Sequence, residues 1–253
     1  MSADGMPPPP PPDLPAPPGA VWYQPGQHDR RLGRIGGLAT AISVLLGVIV
    51  VGQLVTMLLA GSASDAAEDY LAGLLSEDDF TDDLLPSLGV ASIVGFLTIA
   101  TGIVTMVWMY RVASNHRALG RQVTFGPGWA VGSWFTPPVI WVVPTLFLRE
   151  HWKAAEPTSP PGTDSWRRAP EPAPVWVWFA LFTVAPLVLA FTSGFSVGGQ
   201  FGGDTEDAAQ NLVDAGSTTY LSSIVNIAGA VAFFFVVRGL TARHRRLTGE
   251  SRS

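Results

Sequence analysis

Four blocks of this chain, residues 35–60, 88–110, 175–197 and 221–237, run without a single charged side chain. A bilayer's hydrocarbon layer is crossed by about 20 apolar residues of helix, and the first three blocks exceed that length. The fourth is shorter, carries Ser222, Ser223 and Asn226 near its start, and ends on Arg238, whose long side chain can snorkel to the interface. Inside lipid every backbone N–H and C=O needs a partner within the chain, so such blocks become helices. The expectation is an all-α fold, a four-helix transmembrane bundle over 35–240, preceded by a tail over 1–34 and followed by a basic tail over 241–253.

Charge orients the bundle. All fifteen Lys and Arg residues fall before the first block, between the second and third, or after the fourth. Connections 61–87 and 198–219 hold no base and twelve of the twenty acids. Cytoplasmic loops retain Lys and Arg, so both termini and the 111–174 connection are expected in the cytoplasm of an inner (plasma) membrane. The net charge of −5 is therefore the wrong quantity to read globally. The basic parts suit anionic lipid headgroups, with no nucleic acid implied. With no cysteine, disulfides, thiolate nucleophiles and Cys-ligated metals are excluded.

The leader contains Pro7–Pro12 unbroken, then Pro15, Pro17, Pro18 and Pro25. Proline fixes φ and donates no hydrogen bond, which predicts an extended segment, either a solvated spacer or a ligand for a protein partner's aromatic groove. Its bases come last and the following block is too long for a signal peptide's apolar core, so no cleavage is expected. Ala39, Ser43 and Gly47 make a small-residue ladder on span one, and Ala91/Gly95 and Ala228/Ala232 repeat the spacing. Such ladders let helices approach closely, within one bundle or, less simply, in a homo-oligomer. The acidic connections lack calcium-loop spacing and read as solvated loops.

Residues 129–152 are apolar enough to tempt a fifth span, but Pro137, Pro138 and Pro144 interrupt helical hydrogen bonding. Trp129, Trp134, Trp141 and Trp152 suit a headgroup region. A Pro-broken segment, re-entrant or lying in the interface on the cytoplasmic side, is expected. Nearby, Arg111, Asn115 and Leu119 share one helical face that could dock on this segment or hold a lipid headgroup. Gly126, Gly128 and Gly132 around Pro127 mark a tight turn.

The pattern W-x-x-R-x-x-x-N-x-x-x-L-G is carried by Trp108, Arg111, Asn115, Leu119 and Gly120. P-G-W-A-V-G-x-W-F-x-P follows at Pro127, Gly128, Trp129, Gly132, Trp134 and Pro137, then Pro144, Arg149 and Trp152. Over these roughly fifty residues the chain resembles a family of actinobacterial four-span membrane proteins known only as a domain of unknown function. In that family an Asn and an Arg commonly precede the later Pro; here those places hold Ile140 and Val143. The resemblance implies architecture and location, and no activity. Its motif residues Trp108, Arg111, Asn115, Trp129, Trp134, Pro137, Pro144, Arg149 and Trp152 are the candidate docking or lipid-binding set.

No catalytic constellation is legible. His28, His116, His151 and His244 all fall in basic parts without a ligand partner at helical spacing, and His116 and His151 read as surface residues near headgroups. No nucleophile elbow, zinc-protease or phosphate-loop motif occurs, and no enzyme, metal or cofactor is expected. The spans hold no ionisable group to mark an ion path. Thr98, Thr101 and Thr105 on span two and the broken segment leave an oligomeric channel or small-solute transporter as the alternative. The favoured expectation is a non-enzymatic interaction or regulatory protein that binds partners or anionic lipid at the cytoplasmic face.

Overall fold

Ser76 opens the second long helix as an N-cap: its Oγ accepts the Asp79 N–H at 3.2 Å and donates to the Asp79 carboxylate at 2.6 Å. Glu77, Asp78 and Asp79 then sit in the first turn, where the helix dipole favours negative charge. Asp204 caps the last long helix the same way, accepting the Asp207 N–H at 3.0 Å. Local chemistry of this kind extends the helices well past the apolar blocks. In the computed structural model, which describes residues 32–136, 139–160, 162–192 and 204–250, the elements are α1 (Gly36–Leu71), α2 (Glu77–Ala118), α3 (Trp129–Gly132), α4 (Val143–Ala154), α5 (Ala173–Phe179), α6 (Ala185–Thr192) and α7 (Thr205–Thr248).

Four helical stretches, Gly36–Leu71, Glu77–Ala118, Ala173–Phe191 and Thr218–Thr248, are long and apolar enough to cross a membrane, and the described residues contain no strand. The chain is an all-α, multi-pass membrane protein. The third span is α5 and α6 joined through a π-turn at Ala180–Val184. Pro186 has no N–H for the carbonyl four residues earlier, and the widened turn just ahead accommodates its ring.

The acidic connections depart from the expected loops. Helix runs to Leu71 and resumes at Glu77, and α7 already begins at Thr205. These extensions are helical because they have a core of their own: Ala66, Ala67, Phe80 and Ala209 are buried together, and Tyr70 stacks on Phe80 at 4.8 Å. Likewise residues 241–248, expected as a tail, continue α7, since Thr241 and His244 are buried.

The main core lies toward the other, basic end. Ile35, Ala39, Ile42 and Leu46 of α1 join Trp108, Met109, Val112 and Ala113 of α2, Phe147 and Leu148 of α4, Val175 and Trp178 of α5, and Phe233, Val236, Val237 and Leu240 of α7. Close approach occurs at glycines other than the expected ladder. A Cβ on Gly52 would overlap Val94, and one on Gly239 would overlap the Trp152 indole, whereas Gly47 has open space around it. Ala91 and Gly95 are exposed. The ladder is divided: Ala39 and Ala232 pack in this core, whereas Gly47, Ala91 and Gly95 turn outward, toward the place lipid occupies.

The broken segment is indeed in pieces: the short α3, a 3₁₀ turn at Val139–Trp141, then α4 with Pro144 in its first turn, where a missing N–H costs nothing. The Trp141 carbonyl accepts from the Thr183 hydroxyl at 3.1 Å. Pro137, Pro138 and the Pro-rich leader up to residue 31 lie outside the described residues.

Candidate functional site

At the basic end the apolar face of α2 turns polar without leaving the interior. Trp108 is fully buried and its indole N–H donates to Thr241 Oγ1 of α7 at 3.2 Å. Two turns on, Asn115 clasps the backbone ahead of α1: its Oδ1 accepts the Gly33 N–H and its Nδ2 donates to the Gly33 carbonyl, both at 2.8 Å. Arg111, one turn earlier, donates to the Arg34 carbonyl at 2.9 Å. The N-terminus of α1 is closed from the far end of the chain, where the Glu250 carboxylate accepts the N–H groups of Ile35 at 3.2 Å and Gly36 at 3.1 Å.

Behind Asn115 stand three histidines, each 0% exposed. His244 Nε2 lies 2.9 Å from Asn115 Nδ2, and His244 Nδ1 lies 3.3 Å from His116 Nε2. His116 Nδ1 lies 2.7 Å from His151 Nδ1, and His151 Nε2 lies 2.9 Å from the Phe125 carbonyl. The ends fix the protons. Gly33 holds the Asn115 amide in one orientation, so Nδ2 donates and His244 Nε2 accepts. His244 therefore carries its proton on Nδ1, His116 on Nδ1 and His151 on Nε2, which donates to Phe125. The result is a one-directional chain of three neutral imidazoles. Burial holds His151 down to about 4, despite the opposing pull of the Phe125 carbonyl and Glu150. His116 offers opposite nitrogens to its two neighbours, so one ion cannot face all three rings. Among the described residues no group of three or more His, Asp or Glu is set to hold a metal.

The Phe125 end of this chain is also a wall of a cleft. The Glu150 carboxylate accepts the N–H groups of Thr124 at 2.7 Å and Phe125 at 2.8 Å. These residues, with Leu146, Arg149, Lys153, Trp166 and Arg167, line about 330 Å³. On its rim Glu171 receives Arg149 bidentately at 2.6 and 2.5 Å, and Lys153 at 3.1 Å. Those partners, Arg149 first, hold Glu171 down to about 2. Gly120 turns the chain into this region with φ +71°, a conformation only glycine adopts freely, closing α2 with an Arg121 N–H bond to the His116 carbonyl at 2.9 Å.

The expected docking set is thus divided. Trp108 and Asn115 are core, and Arg111 with Asn115 grips residues 33–34 rather than segment 129–152. Pro144 is buried at the head of α4, and Trp152 packs on Gly239 with the Arg243 guanidinium 5.5 Å over its ring. Trp134 meets Phe182 edge-on at 6.3 Å, Trp129 is half exposed, and Arg149 sits on the cleft rim. Pro137 is outside the described residues. The expectation that His116 and His151 are surface groups is overturned: tertiary packing of α2, α4 and α7 encloses them. Periodicity held the missed signal, because His116, His151 and His244 each fall three or four residues beyond buried Val112 and Ala113, Phe147 and Leu148, and Leu240 and Thr241.

No curated protein and no solved structure matches this chain. A family model does match, over residues 75–242, from just ahead of the Ser76 cap to just past Thr241. That is well over half of the 253 residues, and it takes in Asn115, His116, His151 and the whole cleft while leaving α1 and His244 outside. The chain belongs to the family described as "Domain of unknown function (DUF4328)".

Proposed function

We propose that this is a non-enzymatic protein of the inner (plasma) membrane, with both termini in the cytoplasm, that acts through its basic face by binding anionic lipid headgroups. The observation that carries the reading is the partition of charge along the bundle. Among the described residues the bases gather at the end built by Arg111, Arg117, Arg121, Arg149, Lys153, Arg167 and Arg243, while the far end carries only acids. An anionic leaflet attracts such a face by about 1 kcal/mol per Lys or Arg near its surface. The cleft beside Arg149, Lys153 and Arg167 supplies concavity, and half-exposed Trp129 supplies an interfacial ring. On this reading segment 129–152 stays on the cytoplasmic side, its Trp141 carbonyl satisfied by Thr183 where water is scarce.

Tryptophan quenching by brominated lipids in reconstituted bilayers tests it. Brominated phosphatidylglycerol should quench more strongly than brominated phosphatidylcholine at low salt, and Arg149→Gln with Lys153→Gln and Arg167→Gln should erase most of the preference. Equal quenching by both lipids in the unaltered protein would refute the reading. A protein partner recovered from mild-detergent membranes only when residues 1–29 are present would instead assign the interaction role to the leader. Conductance draws less support, because Thr98 and Thr101 bond to the carbonyls of Val94 and Leu97 on their own helix.

A further inference from the structure

The chain from Asn115 to Phe125 contains four hydrogen bonds and four hydrogens to fill them, one from the Asn115 amide and one from each imidazole. Both ends are backbone-determined. Gly33 fixes Asn115 as a donor, and the Phe125 carbonyl can only accept. All six ring nitrogens are engaged. A fifth hydrogen has no acceptor, so one bond must then hold two hydrogens face to face, in a site with 0% exposure. Turning the rings over cannot relieve this, since a flipped Asn115 would oppose like groups at both atoms of Gly33.

The charged groups around the chain, Arg117 apart, are held by partners of their own. Facing His151 are Glu150, bonded to the amides of Thr124 and Phe125, and Arg117. Facing His116 is Arg121, which donates to the carbonyls of Glu156, Ser159 and Pro160. Facing His244 is Glu250, bonded to the amides of Ile35 and Gly36. Beside it on α7, Arg243 is paired with Glu156. The segment ahead of α1 offers only the Gly33 backbone.

We propose that the three-imidazole chain is a protonation-operated latch. While neutral it holds α4 and the Phe125 turn against α2 and α7, and uptake of one proton releases them. The released element carries Arg149 and Lys153, so the latch governs the rim of the cleft independently of what the cleft binds. The sign follows from His151, whose folded value near 4 lies below the ordinary 6.5. The docked form then binds fewer protons than the released form between those values, so docking is complete above pH 6.5 and weakens as pH falls toward 4.

Amide hydrogen exchange of Val143–Ala154 in lipid nanodiscs, corrected for intrinsic rates, reads the latch. Protection should fall roughly thirtyfold from pH 7.5 to 5. The ¹⁵N signals of the three rings at pH 7.5 should show neutral tautomers with protons on His244 Nδ1, His116 Nδ1 and His151 Nε2. Asn115→Asp replaces the donor end by an acceptor, so four bonds then need four hydrogens from three neutral rings, and the fourth is an added proton, held on a ring or on the new carboxyl group. Protection in that variant should rise on acidification where the original falls. Flat protection in the unaltered protein, an imidazolium signal at pH 7.5, or the same acid loosening in Asn115→Asp would each overturn the proposal. If the variant does not fold, the first two measurements decide alone.

Discussion

Asn115→Leu removes a side chain that is 3% exposed and makes three hydrogen bonds, two to Gly33 at 2.8 Å and one to His244 at 2.9 Å. At about 1 kcal/mol net for each bond the loss is about 3 kcal/mol, and the orphaned groups add to it. Half-buried Gly33 loses both backbone partners to solvent, and the buried His244 nitrogen loses its donor; leaving that atom unpaired costs about 1–3 kcal/mol, offset in part by the gained apolar surface. The expected total is about 3–5 kcal/mol. Arg111→Gln gives the scale, because its one exposed bond to Arg34 is expected to contribute under about 1 kcal/mol. Reversible unfolding by dodecyl sulfate in mixed micelles, followed by tryptophan fluorescence, measures both. A loss under about 1 kcal/mol in Asn115→Leu, or a larger loss in Arg111→Gln, would refute Asn115 as the joint between α1, α2 and α7.

Other substitutions test the packing and the rim. Gly239→Ala should destabilise by about 1–3 kcal/mol in the same unfolding measurement, because its methyl meets the Trp152 ring, and adding Trp152→Leu should recover part of that. Gly52→Ala should be costly through Val94 while Gly47→Ala is neutral, a contrast that thermal midpoints in one detergent can resolve. Thr183→Val should cost about 1 kcal/mol by stripping the Trp141 carbonyl of its donor. Glu171→Gln should change stability by less than about 1 kcal/mol, since the side chain is 47% exposed and solvent screens its pairs. Its depressed value near 2 means the carboxylate's contribution is present above the ordinary 4.5 and lost only as pH falls through about 2, so the variant's stability difference should be flat from pH 7.5 to 5.

The apolar blocks and the segregation of bases made the four spans legible, because lipid imposes length and charge rules that act on sequence directly. Caps were equally local: Ser76 with Asp79 and Asp204 with Asp207 mark starts that loop readings of 61–87 and 198–219 passed over. The histidine chain could not be read the same way. It joins residues 116, 151 and 244 on three helices, and only their packing makes the rings neighbours. Even so, each histidine continues the buried stripe of its own helix, so its burial was available from periodicity although its partners were not. The motif around Arg111 and Asn115 misled in the opposite way. Its polar face was real, yet its partner is the backbone at 33–34, a segment without a side-chain signature.

In the proposed topology the basic end, with segment 129–152 beside it, faces the cytoplasm. The chain has no cysteine, so single cysteines can be placed at exposed Gln122 and Thr158, on either side of that segment, and at exposed Asp82 at the acidic end. In intact cells a membrane-impermeant maleimide should label Asp82→Cys alone, with Gln122→Cys and Thr158→Cys reacting only after permeabilisation. Labelling of Gln122→Cys and Thr158→Cys from opposite sides, or of both from outside, would contradict it.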